Sequence, residues 1–151
     1  MDYSKPHTLE EWIQFYEDKT KDKFELPQGM RLMWLPHRGF MVVAIDLNIK
    51  VLLIYLTCGD GKFWRDVAEM LALNNGLTKL MTICTRKIEP YIRFWRWKIT
   101  DKQEKDGQIR YFCKDDMDRD VLVTHRGVDE KSGQATYYVT QYLIKGERPE
   151  F

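Results

Sequence analysis

Apolar positions concentrate between Lys50 and Ile99 and change spacing segment by segment. Val51 to Leu56 has no polar alternation, the pattern of a strand buried on both faces in the middle of a sheet. After the turn Thr57-Cys58-Gly59-Asp60-Gly61, a helix is predicted from about Lys62 to Leu73. Asn74-Asn75-Gly76 stops it, because Asn and Gly tolerate the left-handed cap conformation. Leu77 to Thr85 reads as a second strand, parallel to the first because a helix separates them. Ile88, Tyr91, Ile92, Trp95 and Ile99 recur at helical spacing, which predicts a helix from Ile88 to about Trp97 with Glu89-Pro90 in its first turn.

Upstream, Thr8-Leu9-Glu10-Glu11 is a capping-box pattern, and Leu9, Trp12, Ile13, Phe15 and Tyr16 behind it form an aromatic helical stripe. Met30 to Leu35 and Phe40 to Asp46 read as strands joined by the tight connection Pro36-His37-Arg38-Gly39. Three antiparallel strands therefore precede the glycine turn. Downstream, Gln108 to Lys114 reads as a strand that follows a polar turn ending in Asp106-Gly107. Asp115 to Asp120 reads as an acidic surface loop. Val121 to Arg126 and Ala135 to Ile144 bracket a hairpin loop, Gly127 to Gln134.

The 151 residues fit one domain, taken as 1–151, and the 44% apolar and 31% charged composition is that of a folded chain. A formal net charge of +1 gives no global pull toward nucleic acid or an anionic membrane. No apolar run is long enough for a membrane span and the first residues lack a signal-peptide core, so a cytoplasmic protein is expected. Cys58, Cys84 and Cys113 are isolated from one another; they read as core thiols with no zinc spacing, and no metal is expected.

Gly59 and Gly61 stand between a buried strand and a helix start, where backbone freed from Cβ limits lets consecutive N–H groups converge. The positive end of the helix dipole and the charge of Lys62 act on the same spot. Strand, turn and helix together make an anion cradle.

This order of elements, over roughly Thr8 to Ile144, resembles the GNAT acyltransferase superfamily. That family binds the pyrophosphate of acetyl-coenzyme A at Q/R-x-x-G-x-G/A. The matching residues are Leu56-Thr57-Cys58-Gly59-Asp60-Gly61, with both glycines present and Leu56 in the Gln/Arg place. The resemblance implies an α+β domain with a mixed, mostly antiparallel sheet and helices on both faces. Its two parallel strands would part just past Leu56 at a cofactor notch. Leu56, Thr57, Cys58, Gly59, Asp60, Gly61, Lys62 and Phe63 would then hold acetyl-coenzyme A. The family's general-acid Tyr falls on Trp95, so that role is either lost or moved to Tyr91, one turn earlier, and Tyr91 is taken; the candidates for general base are Asp46, His37 and His125, and Asp46 is taken.

Two functions of different class follow. The first is an N-acyltransferase acting on a small-molecule or protein amine, with acceptor loops at Thr20 to Gly29 and Gly127 to Gln134. The second is a catalytically inactive binding protein of the same fold, as in acetyltransferase-like proteins of bacteriophages, with Trp97 as a contact anchor for a protein partner. A less favoured third use is nucleic-acid binding by helix 86–98, where Arg86, Lys87, Arg93, Arg96 and Lys98 interleave with aromatic residues.

Overall fold

The structure is a computed structural model and describes residues 1–146. Its elements are α1 (Leu9–Thr20), β1 (Arg31–Leu35), β2 (Gly39–Asp46), β3 (Val51–Gly59), α2 (Gly61–Asn74), β4 (Lys79–Cys84), α3 (Ile88–Phe94), β5 (Lys98–Lys105), β6 (Gln108–Lys114), β7 (Asp120–Val128) and β8 (Ala135–Tyr142). They form an α+β fold around one eight-stranded mixed sheet of order β1-β2-β3-β4-β8-β7-β6-β5. The pair β3/β4 is parallel and its neighbours on both sides are antiparallel.

Both faces of the sheet carry helix. Successive residues of β2 point to opposite faces, so Phe40 and Val42 meet Trp12 of α1 while Met41 and Val43 meet Trp64, Ala68 and Ala72 of α2. This double burial is why β2 and the start of β3 lack alternation. Ile88 and Ile92 of α3 pack on the same face as α2, over Cys84, Tyr111, Val121, Val123 and Val139. The capping box at Thr8 forms as predicted: Glu11 N–H donates to Thr8 Oγ1 and Thr8 N–H to Glu11 Oε1. No helix among the described residues is long and apolar enough to cross a membrane.

The structure departs from the sequence pattern in three places. Helix α3 ends at Phe94 rather than near Trp97, because Arg96 adopts a left-handed φ of 58° and the chain closes a Schellman turn. In that turn Arg96 N–H donates to Arg93 O (3.0 Å) and Trp97 N–H to Ile92 O (3.2 Å). Residues Lys98–Lys105, read as the end of that helix and a polar turn, form edge strand β5, every residue of which is exposed. Asp115 is not a surface residue of an acidic loop: Arg119 bonds it and Glu69 together, tying the β6–β7 connection to α2.

Candidate functional site

The parallel pair separates where a bulge interrupts β3. Val43 pairs with Ile54 but Val42 with Leu56, so Tyr55 is an extra residue that bends the strand. Pairing with β4 ends at the same place: Ile54↔Thr82 is the last partner pair, although β3 runs on to Gly59 and β4 to Cys84. The gap thus opens two residues earlier than expected. Helices α2 and α3 flank it on one face. Beyond the end of α1, Asp22 is ion-paired with Lys131, which joins segments 20–29 and 127–134 at one point.

The turn Leu56–Phe63 is largely used by the fold. Cys58 faces Trp12, Phe40 and Val42, with Leu56 beside them, and burial pushes the Cys58 thiol up to about 11. Cys84 and Cys113 are buried too, and burial again raises both thiols, that of Cys113 to about 11. Thr57 is exposed. Gly59 pairs with Gly39, each at positive φ (103° and 93°), and a Cβ on Gly59 would lie 2.3 Å from the Arg38 carbonyl oxygen. Close backbone packing, rather than a ligand, requires this glycine. Gly61 is unconstrained, with open space where its Cβ would be.

Asp60 fills the cradle itself. Its side chain is the N-cap of α2, accepting from Phe63 N–H (3.1 Å), and its other oxygen pairs with the Arg38 guanidinium. The Phe63 N–H holds the Asp60 carboxyl below its ordinary range, and Arg38 and the Lys62 N–H act in the same direction. Arg38 also lies over the Phe63 ring at 4.9 Å. Lys62 turns away from the cradle and places Nζ over the Phe94 ring of α3, 5.5 Å from its centroid.

No family model, curated protein or solved structure matches this chain.

Asp46 and Tyr91 lie apart. Asp46 pairs with Val51 at the opposite end of β3 from Gly59, and its Oδ1 accepts from Asn48 N–H (3.0 Å) in the β2–β3 turn. It is a turn former, not a base beside Tyr91. His37 is bonded through Nδ1 to the Tyr3 carbonyl (3.0 Å), and His125 packs edge-on against Tyr137 (5.9 Å). Among the described residues no three His, Cys, Asp or Glu side chains gather as a metal site.

Tyr91 instead belongs to a cluster the sequence reading did not single out. Arg65 of α2, only 9% exposed, stacks over Trp95 (4.3 Å) and Trp97 (5.9 Å), and its Nη2 donates to Tyr91 Oη (3.2 Å). Trp97, expected to be a surface anchor, is 7% exposed because the Schellman turn swings it inward onto Tyr91. With Lys62 three residues earlier, Arg65 clasps α3 along its aromatic side. The aromatic residues of segment 86–98 are therefore mostly engaged with α2, while its cations remain exposed.

Removing the Asp60 side chain should cost about 1 kcal/mol, the usual worth of an N-cap; the half-exposed Arg38 pair adds little. A carboxylate held below its ordinary range stabilises fully above that range and loses the contribution as pH falls through its native pKa. Urea unfolding should accordingly show Asp60→Ala less stable than the parent at neutral pH, with the difference shrinking toward acid pH.

Proposed function

We propose that this chain is a binding protein that keeps an acyltransferase-like order of elements without the transfer chemistry. One observation carries the reading: the Asp60 carboxylate, backed by Arg38, takes the Phe63 N–H and helix-start field that a pyrophosphate would need. A diphosphate arriving there meets a fixed negative charge instead of free donors. Lys62 and Arg65, lying on Phe94, Trp95 and Trp97, close the space between α2 and α3 that leads to the gap. The proposed acid and base, Tyr91 and Asp46, belong to different ends of the sheet.

Thermal unfolding with acetyl-coenzyme A tests this. No change in Tm at millimolar coenzyme is expected. A coenzyme present at about 100 times its Kd would stabilise by about 2.7 kcal/mol, a shift of about 5–10 °C in a domain of this size. Such a shift overturns the reading.

The acyltransferase reading retains two observations in its favour, the parting of β3 and β4 after Ile54 and the junction of the two acceptor loops through Asp22 and Lys131. If it is right, acetyl-coenzyme A must displace Asp60, and Asp60→Ala should bind more tightly than the parent.

A further inference from the structure

Arg65 is buried and pairs with no carboxylate; Glu69, one turn along α2, is taken by Arg119. The neighbours of Arg65 are the neutral rings of Tyr91, Trp95 and Trp97, and it makes no ion pair among the described residues. Guanidinium stays protonated at any physiological pH, so the charge cannot be relieved by losing a proton. Two indole faces offset part of the cost of removing it from water, but a buried cation normally carries an anionic partner and a full set of acceptors. Here Nη2 has Tyr91 and Nη1 has no acceptor.

Two further buried polar atoms without partners lie on the α2/α3 side of the sheet. Trp95 Nε1, on the ring that Arg65 covers, has none, and neither does Thr82 Oγ1. Thr82 holds the last pairing position before β3 and β4 separate. It sits on the helix-bearing face between Leu80 of the core under α2 and Cys84 of the core under α3. Guanidinium, indole and hydroxyl can all donate, and Tyr91, whose oxygen accepts from Arg65, keeps its own hydrogen to donate. The chain supplies more donors than acceptors around one positive charge. Buried polar groups in folded proteins are paired with few exceptions, so Arg65 Nη1 and Trp95 Nε1 unpaired at one contact, with Thr82 Oγ1 unpaired on the same sheet face, point to a ligand that accepts.

We infer that the α2–α3 interface, opened by a shift of α3, binds a small carboxylate, with Arg65 as its counter-charge and Trp95 and Thr82 as further donors. A carboxylate is a planar monoanion with two acceptor oxygens, which suits one guanidinium edge flanked by flat rings. Phosphate, with higher charge and tetrahedral oxygens, is matched less well by a single arginine. Entry requires α3 to shift from α2. That helix has seven residues and no side-chain hydrogen bond at its N-cap, and it is held to α2 by the Arg65–Tyr91 hydrogen bond and the cation–ring contacts of Lys62 and Arg65. The acetate titration reads Trp95 and Arg65 rather than the Asp60 turn, so its test and the coenzyme test fail independently.

The test follows the indole N–H resonance of Trp95 in 15N-labelled full-length protein, assigned from the signal missing in Trp95→Phe. Sodium acetate and sodium phosphate are titrated at constant ionic strength. Acetate should move the signal along a saturable curve with a millimolar midpoint, and phosphate should not. Arg65→Met should weaken acetate binding about tenfold or more, as expected for loss of a charged hydrogen-bond partner. Should Arg65→Met fail to fold, the near-isosteric Thr82→Val carries the same comparison and should raise the midpoint several-fold. A Trp95 signal unmoved by acetate, one that moves only with phosphate, or unchanged midpoints in the folded variants overturns the inference.

Discussion

Gly59→Ala should destabilise the protein by about 3 kcal/mol, while Gly61→Ala should shift stability by less than about 1 kcal/mol in either direction. The two glycines lie two residues apart in one turn and look alike in sequence, yet they meet different constraints. At Gly59 the backbone has φ 103°, which L-residues rarely adopt, and the new Cβ would sit 2.3 Å from the Arg38 carbonyl oxygen. Strain of about 1–3 kcal/mol for the conformation adds to a similar cost for forcing backbone from backbone. Neither relaxes cheaply, because Gly39 across the pair is equally confined, with a Cβ position 2.0 Å from the Cys58 carbonyl oxygen. At Gly61, the first residue of α2, the Cβ position is open and φ is unremarkable, so alanine gains helix propensity and lowers the entropy of the unfolded chain. Equilibrium urea unfolding of both variants measures the difference. A Gly59→Ala protein as stable as the parent would show that the turn can open away from Arg38, and the cradle would then be free to take a ligand.

The parts of this architecture legible in sequence are those where local chemistry and tertiary environment agree. Thr8 and Glu11 could satisfy each other from neighbouring positions, and they do. Val51 to Leu56 read as a central strand because Leu52 and Ile54 enter the core under α2 and Leu56 packs against the core under α1, although Tyr55 is exposed; the central parallel pair followed from that run and the helix after it. What stayed hidden depends on partners distant in sequence. The Tyr55 bulge leaves no mark in a run of apolar residues, since an extra residue changes which side chains face which side without changing their type. Strand β5 is hydrophilic but for Ile99, because it pairs with β6 alone and every residue of it is exposed, so neither period could betray it. Arg65 reads as one more solvated cation on a helix; only the end of α3 at Phe94 and the inward turn of Trp97 give it aromatic company. A left-handed arginine at position 96 is what sets that turn, and arginine has no special preference for it.

Trp64→Ala should cost about 3–5 kcal/mol, and Trp64→Phe about 1 kcal/mol. Trp64 is 2% exposed, and its indole N–H donates to the Arg38 carbonyl at 2.8 Å, so the larger variant loses both a core ring and an anchor of the β1–β2 connection. Phenylalanine keeps most of the ring and gives up the bond, and the Arg38 carbonyl retains the Asp60 N–H at 2.9 Å, which keeps that loss small. The same connection is held from the other face of the sheet, where Trp12, fully buried in α1, donates to the Pro36 carbonyl at 3.1 Å. Two indoles on opposite faces therefore fix residues 36–39, and these in turn hold Gly59 and Asp60 in place. If that mechanical link is real, Trp12→Phe and Trp64→Phe share a structural element and should not behave independently. Their double mutant should depart from the sum of the single effects by more than about 0.5 kcal/mol, the scatter usual for unconnected sites. Strict additivity would mean that each indole stabilises only its own core, and the turn that carries Asp60 would owe its shape to the glycine pair alone.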